Sequence, residues 1–264
     1  MDKIRIADAF NHGKALITFI TGGDPDLETT EKLLPAMQEA GSDLIEIGIP
    51  FSDPIAEGPV IQEANERALS KGCTTDLLFD SVKRVRESGK VTVPLVYLTY
   101  INPIFTYGKE KFLKRCVECG INGLIIPDLP FEEKDEISEL CRTYEVDLIS
   151  MIAPTSEERI RKIAADATGF LYVVSSLGVT GVRSEIKTDI ESMISHVRSA
   201  SDIPAAVGFG ISNPEQAREM AGKSDGAIVG SAIVRIVGRY GTACVPQVEQ
   251  FIRELRKGVD GAAQ

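Results

Sequence analysis

The chain has 264 residues, of which 43% are hydrophobic, and it carries a formal net charge of −10. This acidic balance argues against nucleic acids or anionic membranes as partners. No apolar run approaches the ~18 residues of a membrane span, and the N-terminus lacks the apolar core of a signal peptide. Five cysteines without a disulfide pattern favour a reducing, cytoplasmic location.

Eight short apolar runs recur along the chain at intervals of roughly 25–30 residues, and each is followed by a turn and a helical pattern. This rhythm predicts βα units, and their number and length predict one domain over residues 1–264 that is a (β/α)8 TIM barrel. A doubly wound open sheet is the alternative. The predicted strands are Ala15–Thr21, Leu44–Ile47, Pro94–Thr99, Gly123–Ile126, Asp147–Ile152, Phe170–Ser175, Ala205–Phe209 and Ala227–Val229.

Amphipathic segments between these runs predict the outer layer of helices. A short helix at Ile4–Asn11, within residues 1–12, precedes the first strand and is expected to cap the bottom of the barrel, and residues 259–264 are expected to form a frayed tail. The predicted helices include Leu27–Ala40, Lys109–Cys119, Glu132–Tyr144, Ser156–Ala165, Lys187–Ser199, Asn213–Gly222 and Ala243–Lys257.

The second predicted strand carries a carboxylate in its middle. Alternation along a strand places Ile45 and Ile47 on one face and Leu44 and Glu46 on the other, so Glu46 is expected to be buried. Burial without a cation usually raises the pKa of a carboxyl group. A rigid loop with a further acidic residue, Glu57, follows at once. This combination is typical of a site for proton transfer.

The loops after the seventh and eighth strands have the pattern of a phosphate site. Gly210 precedes a helix start, and Gly230 and Ser231 open the next short helix. Glycines let backbone N–H groups approach an anion, and the N-terminus of a helix adds the positive end of its dipole. Thr180 and Gly181 belong to a preceding loop that is expected to close over the site as a lid. The alternative is that these glycines only permit tight turns.

The predicted strands contain no lysine, arginine or histidine. A Schiff-base aldolase needs a lysine at a strand or its end, and a metal-dependent aldolase needs imidazole ligands. The polar residues that remain favour general acid–base chemistry on a neutral, phosphate-tagged substrate, with neither metal nor cofactor. The alternative for Glu46 is a core carboxylate satisfied by hydroxyl groups and backbone amides.

Six motifs follow one another along the chain from about Ala15 to its end: FITGGDP, IEIGIPFSDPIAEGPVIQ, YINPI, PDLP, SSLGVTGVR and GFGIS. In this order and spacing they resemble the alpha subunit of tryptophan synthase. The resemblance implies a (β/α)8 barrel that cleaves indole-3-glycerol phosphate to indole and glyceraldehyde 3-phosphate without a cofactor. It also implies a pyridoxal-phosphate-dependent beta subunit as partner, in an assembly of two alpha and two beta chains.

The same resemblance implies roles for individual residues. Glu46 matches the general acid–base of the family, and Glu57 stands where the family carries an aspartate that accepts the ring N–H. The motif here is AEGP instead of ADGP. One extra methylene keeps the charge but shifts the carboxylate by roughly one C–C bond, about 1.5 Å. Asp53 and Thr180 match residues that couple loop closure to the partner; Phe19, Ile61, Leu98, Tyr172 and Phe209 match the indole pocket; Gly181, Gly210, Gly230 and Ser231 match the phosphate site.

The third loop, Ile101–Tyr107, places many apolar side chains on an expected solvated rim. Exposed apolar patches of this kind favour a protein interface, here with the beta subunit. The alternative is that Ile104 and Phe105 fold inward beneath the next helix. Two other functions stay open: a different phosphate-sugar isomerase or synthase on the same barrel, and a non-catalytic subunit that only activates its partner.

Overall fold

The structure, a computed structural model, describes residues 4–174, 189–208 and 210–263. Eight parallel strands close into a barrel, in which each strand pairs with the next and β8 returns to β1. The barrel is confirmed and the open sheet is excluded, because Thr18 pairs with Val229 across the closing seam. The strands are β1 (Ala15–Thr21), β2 (Leu44–Gly48), β3 (Leu95–Leu98), β4 (Gly123–Ile125), β5 (Asp147–Ile152), β6 (Leu171–Val174), β7 (Ala205–Gly208) and β8 (Gly226–Val229).

Helices surround the barrel, and the predicted ones are present within a few residues of their expected bounds. The predicted segment Glu132–Tyr144 is split into a 3-10 turn at Phe131–Glu133 and an α-helix. The described α-helices are α1 (Leu27–Glu39), α2 (Pro59–Ser70), α3 (Thr75–Glu87), α4 (Ile101–Tyr107), α5 (Lys109–Glu118), α6 (Asp135–Thr143), α7 (Glu157–Ala165), α8 (Ile190–Arg198), α9 (Pro214–Lys223), α10 (Ser231–Tyr240) and α11 (Val245–Asp260).

The strands are apolar on both faces because the barrel has two cores. In β1, Leu16 and Ile20 pack outward against the helices, whereas Ile17 points into the barrel with side chains from the other strands. A strand covered on both sides cannot show the alternation of a half-exposed sheet. This is why the strand runs are nearly continuous in apolar character.

The N-terminal segment closes the lower end of the barrel, as predicted, but it is a 3-10 helix at Ile6–Phe10. Ile6 and Ala9 are buried among side chains of the barrel interior, and the rings of Phe10 and Phe170 lie 5.9 Å apart. Gly123 and Gly169 leave the room that Ile6 occupies, because a Cβ at either position would lie within 3.2 Å of Ile6 Cδ1.

The expectation of a frayed C-terminal tail is wrong. The chain is not frayed from residue 259, since α11 continues to Asp260 and a 3-10 turn follows at Gly261–Ala263. Val259 is fully buried, and the Arg256 guanidinium donates to Asp43 at 2.6 Å, so packing holds this end against the barrel.

The predicted third loop is the helix α4, in which Ile104 is buried and Phe105 is 46% exposed. None of the described helices is long and apolar enough to span a membrane.

Candidate active site

Glu46 points into the barrel from β2. It pairs in register with Phe19 of β1, its neighbour Leu44 lies in the interior core, and Ile45 and Ile47 pack outward against the helices. The predicted alternation is therefore present. Glu46 is 1% exposed, and the chain around it offers no strand cation to compensate its charge.

Burial controls the protonation of Glu46. Loss of hydration raises the pKa of this carboxyl group from 4.5 to about 8, and Oε1 has no hydrogen-bond partner among the described residues. A core carboxylate satisfied by neighbouring hydroxyl groups would have such a partner. Glu46 is therefore a largely neutral acid near pH 7 whose oxygen is available to a ligand. The charge of Glu46 in turn adds to burial in raising the pKa of Tyr172 across the cavity.

Glu57 is a second buried carboxylate, placed immediately before α2. It is 5% exposed, and the Tyr100 hydroxyl donates to its Oε2 at 2.7 Å. The same hydroxyl accepts the Ala56 N–H at 2.9 Å, so Tyr100 holds both the loop backbone and the carboxylate. Burial raises the pKa of Glu57, the hydrogen bond from Tyr100 opposes this effect, and the charge of Asp128 adds to it.

Both carboxylates line one cavity at the mouth of the barrel. Its wall is mainly apolar, and two glycines make room for the aromatic part. A Cβ at Gly48 would lie 2.8 Å from the Phe19 ring, and one at Gly208 would lie 2.5 Å from Tyr172 Oη. The lining consists of Phe19, Glu46, Ala56, Glu57, Ile61, Leu98, Pro127, Met151, Tyr172, Gly210, Ile211, Ile228, Gly230 and Ser231.

The polar end of the cavity is the N-terminus of α10. Among the described residues, no side chain caps this helix at Gly230, whereas the Asn213 side chain caps α9 by accepting the Gln216 N–H. Pro214, the first residue of α9, has no N–H to offer. In the part of the chain that the structure describes, the start of α10 is therefore the more open of the two predicted anion sites. Gly210 reaches the cavity through a left-handed turn with φ of 84°, a conformation that favours glycine.

The family model for the tryptophan synthase alpha chain matches residues 7–260. The chain belongs to this family. Tryptophan synthase alpha chains that it resembles are those of Lacticaseibacillus casei, 45% identical over 98% of this chain and 97% of the relative, and of a Thermoanaerobacter species, 50% identical over 92% and 93%.

Solved structures of the tryptophan synthase family have the same fold. The alpha chain from Legionella pneumophila superposes with a TM-score of 0.87 at 34% identity, covering 97% of each chain. A chain from a structure of the tryptophan synthase α2β2 complex of Pyrococcus furiosus superposes with a TM-score of 0.84 at 34% identity, covering 92% of this chain and 98% of that one.

Most residues that the family resemblance selected lie together in the structure. All nine that are described and were assigned to catalysis, the indole pocket or the phosphate site line the cavity: Glu46, Glu57, Phe19, Ile61, Leu98, Tyr172, Gly210, Gly230 and Ser231. Thr180, Gly181 and Phe209 lie outside the described residues. Asp53 is exposed on the rim, where it accepts a hydrogen bond from the Ser52 hydroxyl.

Sequence reasoning did not select four of the lining residues with large side chains: Pro127, Met151, Ile211 and Ile228. Pro127 belongs to the PDLP motif, so the family pattern contained a signal for it. Met151 and Ile228 pack with the interior core near the strand ends, and inward alternation along β5 and β8 would have indicated them. Tyr100 belongs to the YINPI motif, but its hydrogen bond to Glu57 joins residues 43 positions apart and has no local signal in the sequence.

Proposed function

We propose that the chain is the lyase of its family that splits indole-3-glycerol phosphate into indole and glyceraldehyde 3-phosphate. The observation that carries this proposal is the placement of Glu46. It is a buried acid in an apolar cavity whose other end is a helix N-terminus, and neither its Oε1 nor that helix start has a side-chain partner among the described residues. This arrangement suits a substrate with an aromatic ring at one end and a phosphate at the other.

The reaction needs one proton to be given and one to be taken. Neutral Glu46 gives its proton to C3 of the indole ring, because its pKa of about 8 keeps it protonated in the empty site. The resulting carboxylate then takes the proton of the adjacent side-chain hydroxyl. As this C–O becomes an aldehyde, the bond between C3 and the hydroxyl-bearing carbon breaks, and its electron pair restores the aromatic ring. Glu46 ends the cycle protonated, as it began.

Protonation at C3 places positive charge on the ring nitrogen, and Glu57 is positioned to offset it. Tyr100 occupies Oε2 of Glu57 with a hydrogen bond of 2.7 Å, and we assign the other oxygen to the ring N–H. Because a hydrogen bond to the carboxylate favours its charged form, Tyr100 opposes the rise in pKa that burial causes. A preorganised charge in a water-excluded site contributes on the order of several kcal/mol to such a step.

We assign the phosphate to the first turn of α10. Gly230 and Ser231 line the cavity there, and the backbone N–H groups and dipole of the helix favour an anion. A phosphate bound in this way needs no lysine or arginine, which fits an acidic protein.

For the partner, we propose a beta subunit that carries pyridoxal phosphate, docked over the mouth of the barrel in an assembly of two alpha and two beta chains. Two apolar side chains near this face support the proposal, since Ile55 is 73% exposed and Phe105 is 46% exposed. Ile104 belongs to the core and takes no part in this surface.

The five cysteines are buried and unpaired, which fits our assignment of the chain to the cytoplasm.

An indole-release assay on the purified chain, with and without a beta subunit, tests the reaction. We expect indole to be released from indole-3-glycerol phosphate by the chain alone and faster with the partner. A chain that stimulates the beta subunit but releases no indole is a non-catalytic activator. A chain that does neither, yet turns over another phosphorylated sugar, belongs to a different reaction class.

A further inference from the structure

An ion pair joins the loop after β1 to the helix α2 behind the cavity. Arg67 Nε donates to Oδ1 of Asp24 and Arg67 Nη2 donates to Oδ2, both at 2.8 Å. The Asp24 side chain is only 1% exposed, whereas that of Arg67 is 33% exposed. Two parallel hydrogen bonds from a planar guanidinium fix both distance and orientation, which a single bond from lysine cannot do.

The same guanidinium lies against the backbone of α10. A Cβ at Gly238 would lie 3.0 Å from Arg67 Nη2 and 3.3 Å from its Cζ. Glycine is a poor residue for the interior of a helix, and nothing else in α10 requires it there, since its φ is not in the left-handed region. Gly238 therefore leaves the space in which the guanidinium of Arg67 sits between three elements: the β1 loop, α2 and α10.

Both helices that meet at Arg67 begin at the cavity. Glu57 lies two residues before Pro59, the first residue of α2, and Ser231 is the first residue of α10. Between the cavity and Arg67, the two helices share a small apolar cluster with β1, to which Ile61 and Val234 belong. This cluster is separate from the main core. Apolar contacts are non-directional and permit sliding, whereas the ion pair is a directional contact that fixes α2 against the β1 loop while its guanidinium packs on α10 at Gly238.

We propose that Arg67, held by Asp24, is a positioning residue that sets the distance between the Glu57 carboxylate and the anion site of α10. The inference rests on the proposed function, because a fixed distance matters only for a ligand that spans both ends of the cavity. A ligand whose ring and phosphate are covalently joined gains affinity by binding at both sites at once. This gain is lost when the distance between the Glu57 carboxylate and the anion site does not match the ligand. Each half of the ligand, bound alone, is indifferent to the spacing.

The test compares the intact substrate with its two halves. In a Glu46→Gln background, which is expected to slow turnover by at least ~10²-fold, calorimetry measures the dissociation constants of indole-3-glycerol phosphate, indole and glycerol 3-phosphate. Arg67→Lys keeps a cation beside Asp24 but removes the pair of parallel hydrogen bonds that the guanidinium donates. The double variant Asp24→Asn with Arg67→Met removes both charges and leaves no buried carboxylate unpaired. Arg84→Lys, which alters the surface pair with Glu31, is the matched control.

We expect both Arg67 variants to bind the intact substrate about tenfold more weakly or worse, while indole and glycerol 3-phosphate each stay within about twofold. The Arg84 control should change none of the three. Intact-substrate affinity within twofold in the double variant would overturn the proposal. Equal losses for all three ligands would also overturn it, because they would show a general collapse of the cavity. Failure of the proposed function is seen separately, as absence of indole release by the parent chain.

Discussion

The Glu46→Gln substitution tests the acid–base assignment and the burial of this group together. In the unfolded chain the Glu46 carboxyl group has its ordinary pKa of 4.5, whereas in the folded chain its pKa is about 8. Unfolding between these values therefore releases a proton, and rising pH favours the unfolded state. The group lowers the free energy of unfolding by roughly 1.4 kcal/mol per pH unit in this window, or roughly 5 kcal/mol across it as an upper limit.

The measurement is the free energy of unfolding in urea near pH 6 and near pH 8, for the parent and the Glu46→Gln variant. Because the folded group begins to ionise near pH 8, we expect the parent to lose roughly 2 kcal/mol more than the variant over this interval. The comparison cancels all other titrating groups, which both proteins share. The variant should also release indole at least ~10²-fold more slowly, the usual scale for a lost general acid–base.

The activity of the parent supplies an independent check. If the neutral form of Glu46 begins the reaction, kcat/KM should be level at lower pH and fall as the pH rises through about 8, the pKa of the buried carboxyl group. If the free energy of unfolding falls equally in parent and variant between pH 6 and pH 8, burial does not raise the pKa of Glu46. Retention of most of the activity by Glu46→Gln would refute the assignment of this residue as the acid.

Substitutions at three further sites, two of them with a control variant, test the remaining assignments. Glu57→Ala should lower indole release by about 10²–10³-fold and Glu57→Asp only a few-fold, since the charge is what the ring needs; an alanine variant as active as the parent would remove Glu57 from the mechanism. Gly230→Val should weaken the binding of inorganic phosphate by about tenfold or more in calorimetry. The control Gly222→Ala should not, because nothing lies within 4 Å of an added Cβ there. If parent and Gly230→Val bind phosphate with equal affinity, the phosphate binds elsewhere. Phe105→Glu should abolish co-elution with a beta subunit while Val117→Glu, at a 50% exposed position of α5, preserves it; unchanged co-elution would exclude the α4 surface.

Much of the barrel was predictable because its signals are local. Each strand is a short apolar run bounded by turn residues, and each helix repeats its apolar positions with helical spacing. The burial of Glu46 followed from the same reasoning, since alternation within β2 assigns its face without knowledge of any other strand. The family motifs extended this to the cavity residues, which the barrel brings to one end because parallel strands all point the same way.

The tertiary structure decided what depends on contacts between distant segments. The Asn213 side chain caps the start of α9, whereas among the described residues no side chain caps the start of α10. Both starts follow glycines in the sequence. Tyr100 reaches Glu57, and Arg67 reaches Asp24, across 43 residues in each case. These pairings depend on the angle and spacing at which helices pack on the barrel, and composition and periodicity carry no information about either. The sequence by itself, through strand alternation and its family motifs, selected nine of the residues that line the cavity. The packing determined which of their polar groups already have a partner among the described residues and which are left for a ligand.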